Sequence, residues 1–154
     1  MSIIFVTGLS GVGKSSALEQ LAMEGYNVVD TDYGYLKIEK NGAAEEKVWD
    51  EEKIAQLMEK YKNSHLFISG CYSNQGKFYN QFDCVVLLKA DLEIMMDRIN
   101  NRTSHNYGKS ADERDEVIDS FKNVLPLLVK SSDVTIDTSY CEIDVVCKRL
   151  KELL

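Results

Sequence analysis

The 154-residue chain contains one proline, Pro126, and only two histidines, His65 and His105. Proline, glycine and serine nowhere accumulate into a linker and no segment repeats, so residues 1–154 read as one domain. Four cysteines, Cys71, Cys84, Cys141 and Cys147, form no CxxC pair and have no histidine close by in sequence. A zinc site is therefore not expected; buried, reduced thiols are. No basic leader opens the chain and no apolar run reaches the length of a membrane span, which predicts a cytoplasmic protein. With 18 basic against 25 acidic residues, a formal charge of −7, it lacks the broad basic face that nucleic-acid binding requires. The partners expected are small molecules, with no nucleic acid and no membrane.

What the chain does have is an alternation of short apolar runs and helical patterns. Ile3-Ile4-Phe5-Val6, Asn27 to Asp30, His65 to Gly70, Asp83 to Leu88 and Val134 to Asp137 read as five strands. Between them, apolar residues recur at helical spacing. The sets are Leu18, Leu21 and Ala22; Ile54, Leu57, Met58 and Tyr61; Leu92, Met95, Met96 and Ile99; Ile118, Phe121 and Leu125; and Ile143, Val146, Leu150 and Leu153. Asp50 begins the second of these helices and Asp91 caps the third, while Ser110 with Glu113 and Ser139 with Glu142 fit capping boxes. Pro126 should kink or end the fourth helix. Residues 33–49 are mixed and mostly polar, with Trp49 at a helix start. Five strands alternating with helices predict an α/β fold with a parallel sheet covered on both faces. Its ligands belong at the carboxyl ends of the strands.

The segment Gly8 to Ser15, GLSGVGKS, matches G-x-x-x-x-G-K-[ST] with a strand before it and a helix after it. Three glycines in six residues let successive backbone N–H groups curl around a phosphate that a side chain would block. The helix that follows turns its unsatisfied N–H groups and positive dipole end to the same anion. Residues predicted to hold the nucleotide are Gly8, Leu9, Ser10, Gly11, Val12, Gly13, Lys14, Ser15 and Ser16. Lys14 supplies charge to the outer phosphates, and the Ser15 hydroxyl suits a magnesium ion. Asp30 and Asp32 lie two apart at the end of the second strand, so both carboxylates face one side. Asp30 is the expected metal partner; Asp32 is expected to orient the acceptor hydroxyl or take its proton.

The loop GLSGVGKSS, the acidic VVDTD, the paired arginines of RINNR and the small size resemble the shikimate kinase, gluconate kinase and nucleoside-monophosphate kinase group of P-loop phosphotransferases. The likeness follows the order of elements over nearly the whole chain. It implies a three-layer P-loop fold, its five-stranded parallel sheet in the order 2-3-1-4-5. It also implies an acceptor-binding region, about residues 31–64, and a mobile lid, about residues 102–112. By the same resemblance ATP is the phosphoryl donor, with Mg²⁺, and Arg98 and Arg102 close over the transferring phosphoryl group, Arg102 foremost. Tyr107, Gly108 and Lys109 would belong to the lid, Lys109 reaching phosphate. Gly70 and Cys71, after the third strand, would border the acceptor, with Ser73, Asn74, Gln75 and Lys77 offering hydrogen bonds beside it. Trp49, Tyr33 and Tyr35 could stack on it, although core packing is the plainer role for Trp49.

One scarcity cuts across the resemblance. The four arginines stand at 98, 102, 114 and 149, so residues 30–85 hold none. Arginine is the residue best shaped for a carboxylate or phosphate, and only lysines such as Lys37, Lys40 or Lys77 could replace it. The expected function is transfer of the γ-phosphoryl group of ATP to a hydroxylated metabolite, shikimate-, gluconate- or nucleoside-like. A nucleoside-monophosphate kinase, and a nucleotide-binding regulatory protein without small-molecule kinase activity, stand as alternatives. A GTPase lacks its NKxD element here, and a ring ATPase its acidic strand end and helical subdomain.

Overall fold

Alternation in the first strand sets the layers. Side chains of β1 (Ile3–Thr7) leave on opposite faces in turn, and all five of its residues are buried. Ile4 and Val6 enter one core, together with Ala17 and Leu21 of α1 (Lys14–Met23). Ile3 and Phe5 enter the other, where Trp49 and Phe82 pack against Phe5 with ring centroids 5.4 and 4.8 Å away. The computed structural model describes residues 1–103 and 106–154; Ser104 and His105, inside the expected lid, lie outside the described residues.

The chain continues through β2 (Val28–Asp30), β3 (Leu36–Asn41), β4 (Ala44–Trp49), α2 (Glu51–Lys60) and β5 (Leu66–Ser69). A 3₁₀ helix over Gln75–Gln81 precedes β6 (Cys84–Lys89) and α3 (Leu92–Asn101). Last come α4 (Ala111–Asn123), α5 (Leu125–Ser131), β7 (Val134–Asp137) and α6 (Ile143–Lys151). Five strands form one parallel sheet in the order β2-β5-β1-β6-β7, with Phe5 in register with Ile68 on one side and Val85 on the other. Counting only the strands of this sheet, the order is the expected 2-3-1-4-5, with helices on both faces. Neighbouring connections leave β1 toward opposite edges, which opens a crevice at its carboxyl end. Among the described residues no helix is long and apolar enough to cross a membrane.

Three local readings are corrected. Residues 33–49, mixed and mostly polar, hold two strands beyond the five expected: β3 and β4 form an antiparallel hairpin in register from Leu36 with Trp49 to Asn41 with Ala44, turning at Gly42 with φ of +65°. Gly42, first of the two turn residues Gly42-Ala43, is the turn signal, but the flanking run is faintly alternating because the hairpin stands in solvent and buries only Val48 and Trp49. Trp49 therefore ends a strand, and Asp50 caps α2 by accepting from the Lys53 amide at 3.3 Å. α4 ends near Pro126, as expected. The helix stops at Asn123 and α5 begins with Pro126 in its first turn, where a missing N–H costs no hydrogen bond. Ser110 caps α4 as expected, accepting from the Glu113 amide at 3.2 Å. Ser139, by contrast, takes no part in capping α6, which starts from Glu142 without a side-chain bond. Its hydroxyl accepts instead from the Asp91 amide at 2.8 Å, tying the end of β7 to the start of α3.

Candidate active site

The loop from Gly8 to Gly13 is shaped by what surrounds its glycines. A Cβ on Gly8 would stand 2.3 Å from the Leu88 carbonyl oxygen, and one on Gly11 would stand 2.7 Å from that of Met95. Gly13 has open space about it but holds φ at +102°, the left-handed conformation from which α1 starts without any side-chain cap. The first N–H groups of α1 are thereby left for an anion. Lys14 is half-buried and its ammonium donates to the carbonyls of Gly8 and of Leu9, the latter at 2.8 Å. Burial lowers its pKa, against the opposing influence of Cys71, Asp32 and Asp30. Ser15 and Ser16 are exposed at the mouth.

The loop forms the floor of a cleft of about 450 Å³ that is also lined by Asp32, Arg98 and Arg102. Asp30 ends β2, and its carboxylate accepts from the Asp32 amide at 3.0 Å. Burial holds the Asp30 carboxyl above the usual range, and the charge of Asp32 adds to this; the bond from Asp32 and a contact with the Ser15 hydroxyl act the other way. The structure thus brings Ser15 and Asp30 together, with Asp32 one step along the chain wall. These are hard oxygen donors, and among the described residues no group of three or more His, Cys, Asp or Glu could hold a metal alone. The set fits a magnesium ion that arrives with phosphates completing its shell.

The two arginines differ. Arg98 is a clamp: it donates to the Gly11 carbonyl at 3.3 Å and to the Thr138 hydroxyl and carbonyl at 3.0 and 2.5 Å. Arg102 caps α3 and donates to the Tyr107 carbonyl at 2.6 Å, while its Nε is buried with no partner among the described residues. Burial lowers the pKa of Arg102. Lys109 does not reach toward the loop; its ammonium donates to the Arg102 carbonyl at 2.7 Å. The Tyr107 hydroxyl donates to Glu116 at 2.9 Å.

The segment after β5 is built differently from its expectation. Gly70 lacks a side chain because a Cβ would stand 2.3 Å from the Thr31 hydroxyl, which accepts from the Trp49 indole at 2.9 Å. Trp49 is fully buried and packs in the core, while Tyr33 is exposed to solvent. Cys71 packs at the border of the core. Asn74 exchanges hydrogen bonds of 3.0 Å with the Trp49 main chain, and Lys77 pairs with Glu51 at 3.0 Å. Gln75 is buried, accepting from the Tyr72 amide at 2.9 Å and donating to Thr7 at 3.1 Å. Ser73 donates to Glu46 of the hairpin at 2.7 Å. These groups hold the segment to the sheet and hairpin; none lines the cleft.

Two residues beside the cleft were not singled out from sequence. Tyr72 donates its hydroxyl to Asp32 Oδ1; burial and the Asp32 and Asp30 carboxylates raise the pKa of the phenol. Thr138, buried after β7, donates to the Val12 carbonyl at 2.7 Å and so fixes the loop to the far side of the sheet. Thr138 follows a parallel strand at its carboxyl end, which is the signal that points to it. Tyr72 sits in a run of polar residues where nothing local distinguishes it. Beyond Thr138 the cleft wall is apolar, with Cys141, Ile143 and Val146.

Comparison with known proteins agrees with this geometry. A family model described as AAA domain matches residues 4–119, from β1 through α4. No curated protein matches the chain by sequence. Among solved structures, shikimate kinase from Acinetobacter baumannii, in complex with shikimate, superposes with a TM-score of 0.68 at 17% identity, covering 99% of this chain and 92% of that one. Shikimate kinase from Bacteroides thetaiotaomicron gives 0.65 at 17% identity, covering 99% and 97%. A Thermus thermophilus protein gives 0.62 at 16% identity, covering 99% and 98%. At such identities the likeness speaks for the fold. The chain belongs to the AAA domain family and has the fold of the small P-loop kinases.

Proposed function

We propose that the protein is an ATP-dependent kinase that phosphorylates the hydroxyl group of a small metabolite. The observation that carries this reading is Asp32, a carboxylate that shares one cleft with Lys14 and Arg102. A carboxylate in that position suits the proton of an attacking hydroxyl. The loop amides and the N-terminus of α1 hold the phosphates, and the apolar wall after Thr138 receives the base. Magnesium, held by Ser15 and Asp30 with the phosphates, would neutralise charge on the transferring group. Asp32 orients the acceptor hydroxyl and accepts its proton as the oxygen attacks the γ-phosphorus. The bond from that phosphorus to the bridging oxygen breaks, and ADP leaves. Lys14 and Arg102 stabilise the charge that develops on the moving group.

Purified protein with Mg-ATP, screened for ADP release against nucleosides, nucleotides, polyols, sugar acids and shikimate-like acids, tests the reading. One acceptor class should stimulate ADP release, and Asp32→Asn should lower the stimulated rate about 10²-fold or more while Mg-ATP affinity stays unchanged. Hydrolysis that no acceptor stimulates, in wild type and variant alike, overturns it.

A further inference from the structure

The cleft is electrically two-sided. Its cationic lining, Lys14, Arg98 and Arg102, belongs to the P-loop and α3. The same cleft presents Asp32, whose amide donates to Asp30 and whose Oδ1 accepts from the Tyr72 hydroxyl. Three of the lysines on that flank are engaged elsewhere. Lys77 pairs with Glu51 at 3.0 Å and Lys40 with Glu45 at 3.8 Å, while Lys53 donates to the Gly34 carbonyl at 3.3 Å. Among the described residues, none of the lysines in 31–82 bonds to Asp32 or Tyr72.

We infer that the acceptor is an uncharged or positively charged hydroxyl compound, such as a polyol, a nucleoside or an amino alcohol, held between Asp32 and Tyr72, and is not an acid. This rests on the kinase reading given above. Tyr72 occupies Oδ1 of Asp32, which leaves Oδ2 to accept from the acceptor hydroxyl. In that reading Lys14 and Arg102 are committed to the ATP phosphates, so a carboxylate or phosphate on the acceptor would meet Asp32 with no cation of its own, and like charges so placed repel. An ammonium group would instead be attracted, both by the carboxylates and by the face of the Tyr72 ring. The raised pKa of Tyr72 agrees: burial is its main cause, and the two carboxylates add to it. Tyr72 is also rigidly presented, because buried Gln75 accepts from its amide at 2.9 Å and is itself anchored to Thr7 at 3.1 Å.

Matched pairs that differ by one acidic group provide the test: adenosine with adenosine 5′-monophosphate, glucitol with gluconate, and serinol with glycerate. In the Mg-ATP ADP-release assay, the member without the acid should be preferred in kcat/KM by about 10²-fold. Tyr72→Phe should raise the KM for that acceptor about 10-fold and leave the KM for Mg-ATP unchanged. Preference for the acidic member overturns the inference and leaves the kinase reading standing. An unchanged acceptor KM in Tyr72→Phe overturns the part assigned to Tyr72. ADP release that depends on no acceptor overturns the kinase reading itself, and the inference with it.

Discussion

The loops that follow β1 and β5 leave neighbouring parallel strands at the same edge of the sheet, and they are built by opposite means. After β1 the chain uses glycine to bring bare main chain against its surroundings, and it leaves the first amides of α1 free of side-chain caps. After β5 the polar side chains satisfy one another: Asn74 holds Trp49, Gln75 holds Tyr72 and Thr7, and Lys77 holds Glu51. The first loop is an open set of donors waiting on one kind of anion. The second is a closed network whose product is the placement of Asp32 and Tyr72. A recurring motif marks the first, because the geometry of a phosphate leaves few solutions for the backbone around it. No motif marks the second, because many different side-chain networks can hold a wall in place.

The sharpest way to break this contrast is at Lys14. Lys14→Ala should lower ATP turnover on the order of 10³-fold in an ADP-release assay; unchanged turnover would mean that the loop after β1 is not a phosphate cradle. A paired glycine test comes next. Gly70→Ala drives a Cβ to within 2.3 Å of the Thr31 hydroxyl and should cost about 2 kcal/mol in urea unfolding while nucleotide affinity holds. Gly13→Ala, with nothing close to its Cβ but φ at +102°, should cost about 1 kcal/mol and weaken nucleotide binding. Equal loss of binding in both would erase the distinction between the two loops. Trp49→Phe keeps a ring in the core but removes the indole bond to Thr31; a loss of about 1 kcal/mol is expected, read from the unfolding midpoint.

The smallest effect expected concerns Asp30. Burial raises its folded-state pKa above the unfolded value. Folding therefore favours the protonated carboxyl, and the stability this gives is present at low pH and lost as pH rises through the folded-state pKa. Asp30→Asn removes that loss. Its thermal midpoint should exceed that of the wild type at pH 7, and the gap should close as pH falls through the carboxylate range. A gap of the opposite sign would show that Asp30 is held by a favourable partner instead of opposed by burial.

Legibility in the sequence followed the same division. Parallel strands are apolar on both faces, so Ile3 to Val6 and Cys84 to Leu88 declare themselves, and the sheet order accompanied the family resemblance. The β3–β4 hairpin did not, because its residues face water and charge dilutes the alternation; only Gly42 at the turn betrays it. At the site, the glycine loop was readable from its motif and spacing, while of the acidic pair only Asp32 lines the cleft, from a turn beyond the end of β2. The roles of Asn74, Gln75 and Lys77 were not, since a polar side chain in sequence looks the same whether it faces a ligand or a neighbouring main chain. Arg98 shows this most plainly: the arginine pair was visible, but Thr138, the partner that turns one of the two into a clamp, lies 40 residues away.

Thr138 also bears on how the protein is made. Its hydroxyl bond to Val12 spans 126 residues of chain, so the cradle is fastened only once a strand made much later is in place. While the ribosome is still extending β6 and α3, the glycine loop has emerged but has neither Thr138 nor the Arg98 clamp that depends on it. Contacts of such long range form late in folding. A nascent chain arrested before β7 should therefore gain little protection from ATP, and nucleotide-dependent resistance to proteolysis should appear abruptly once the last strand is in place.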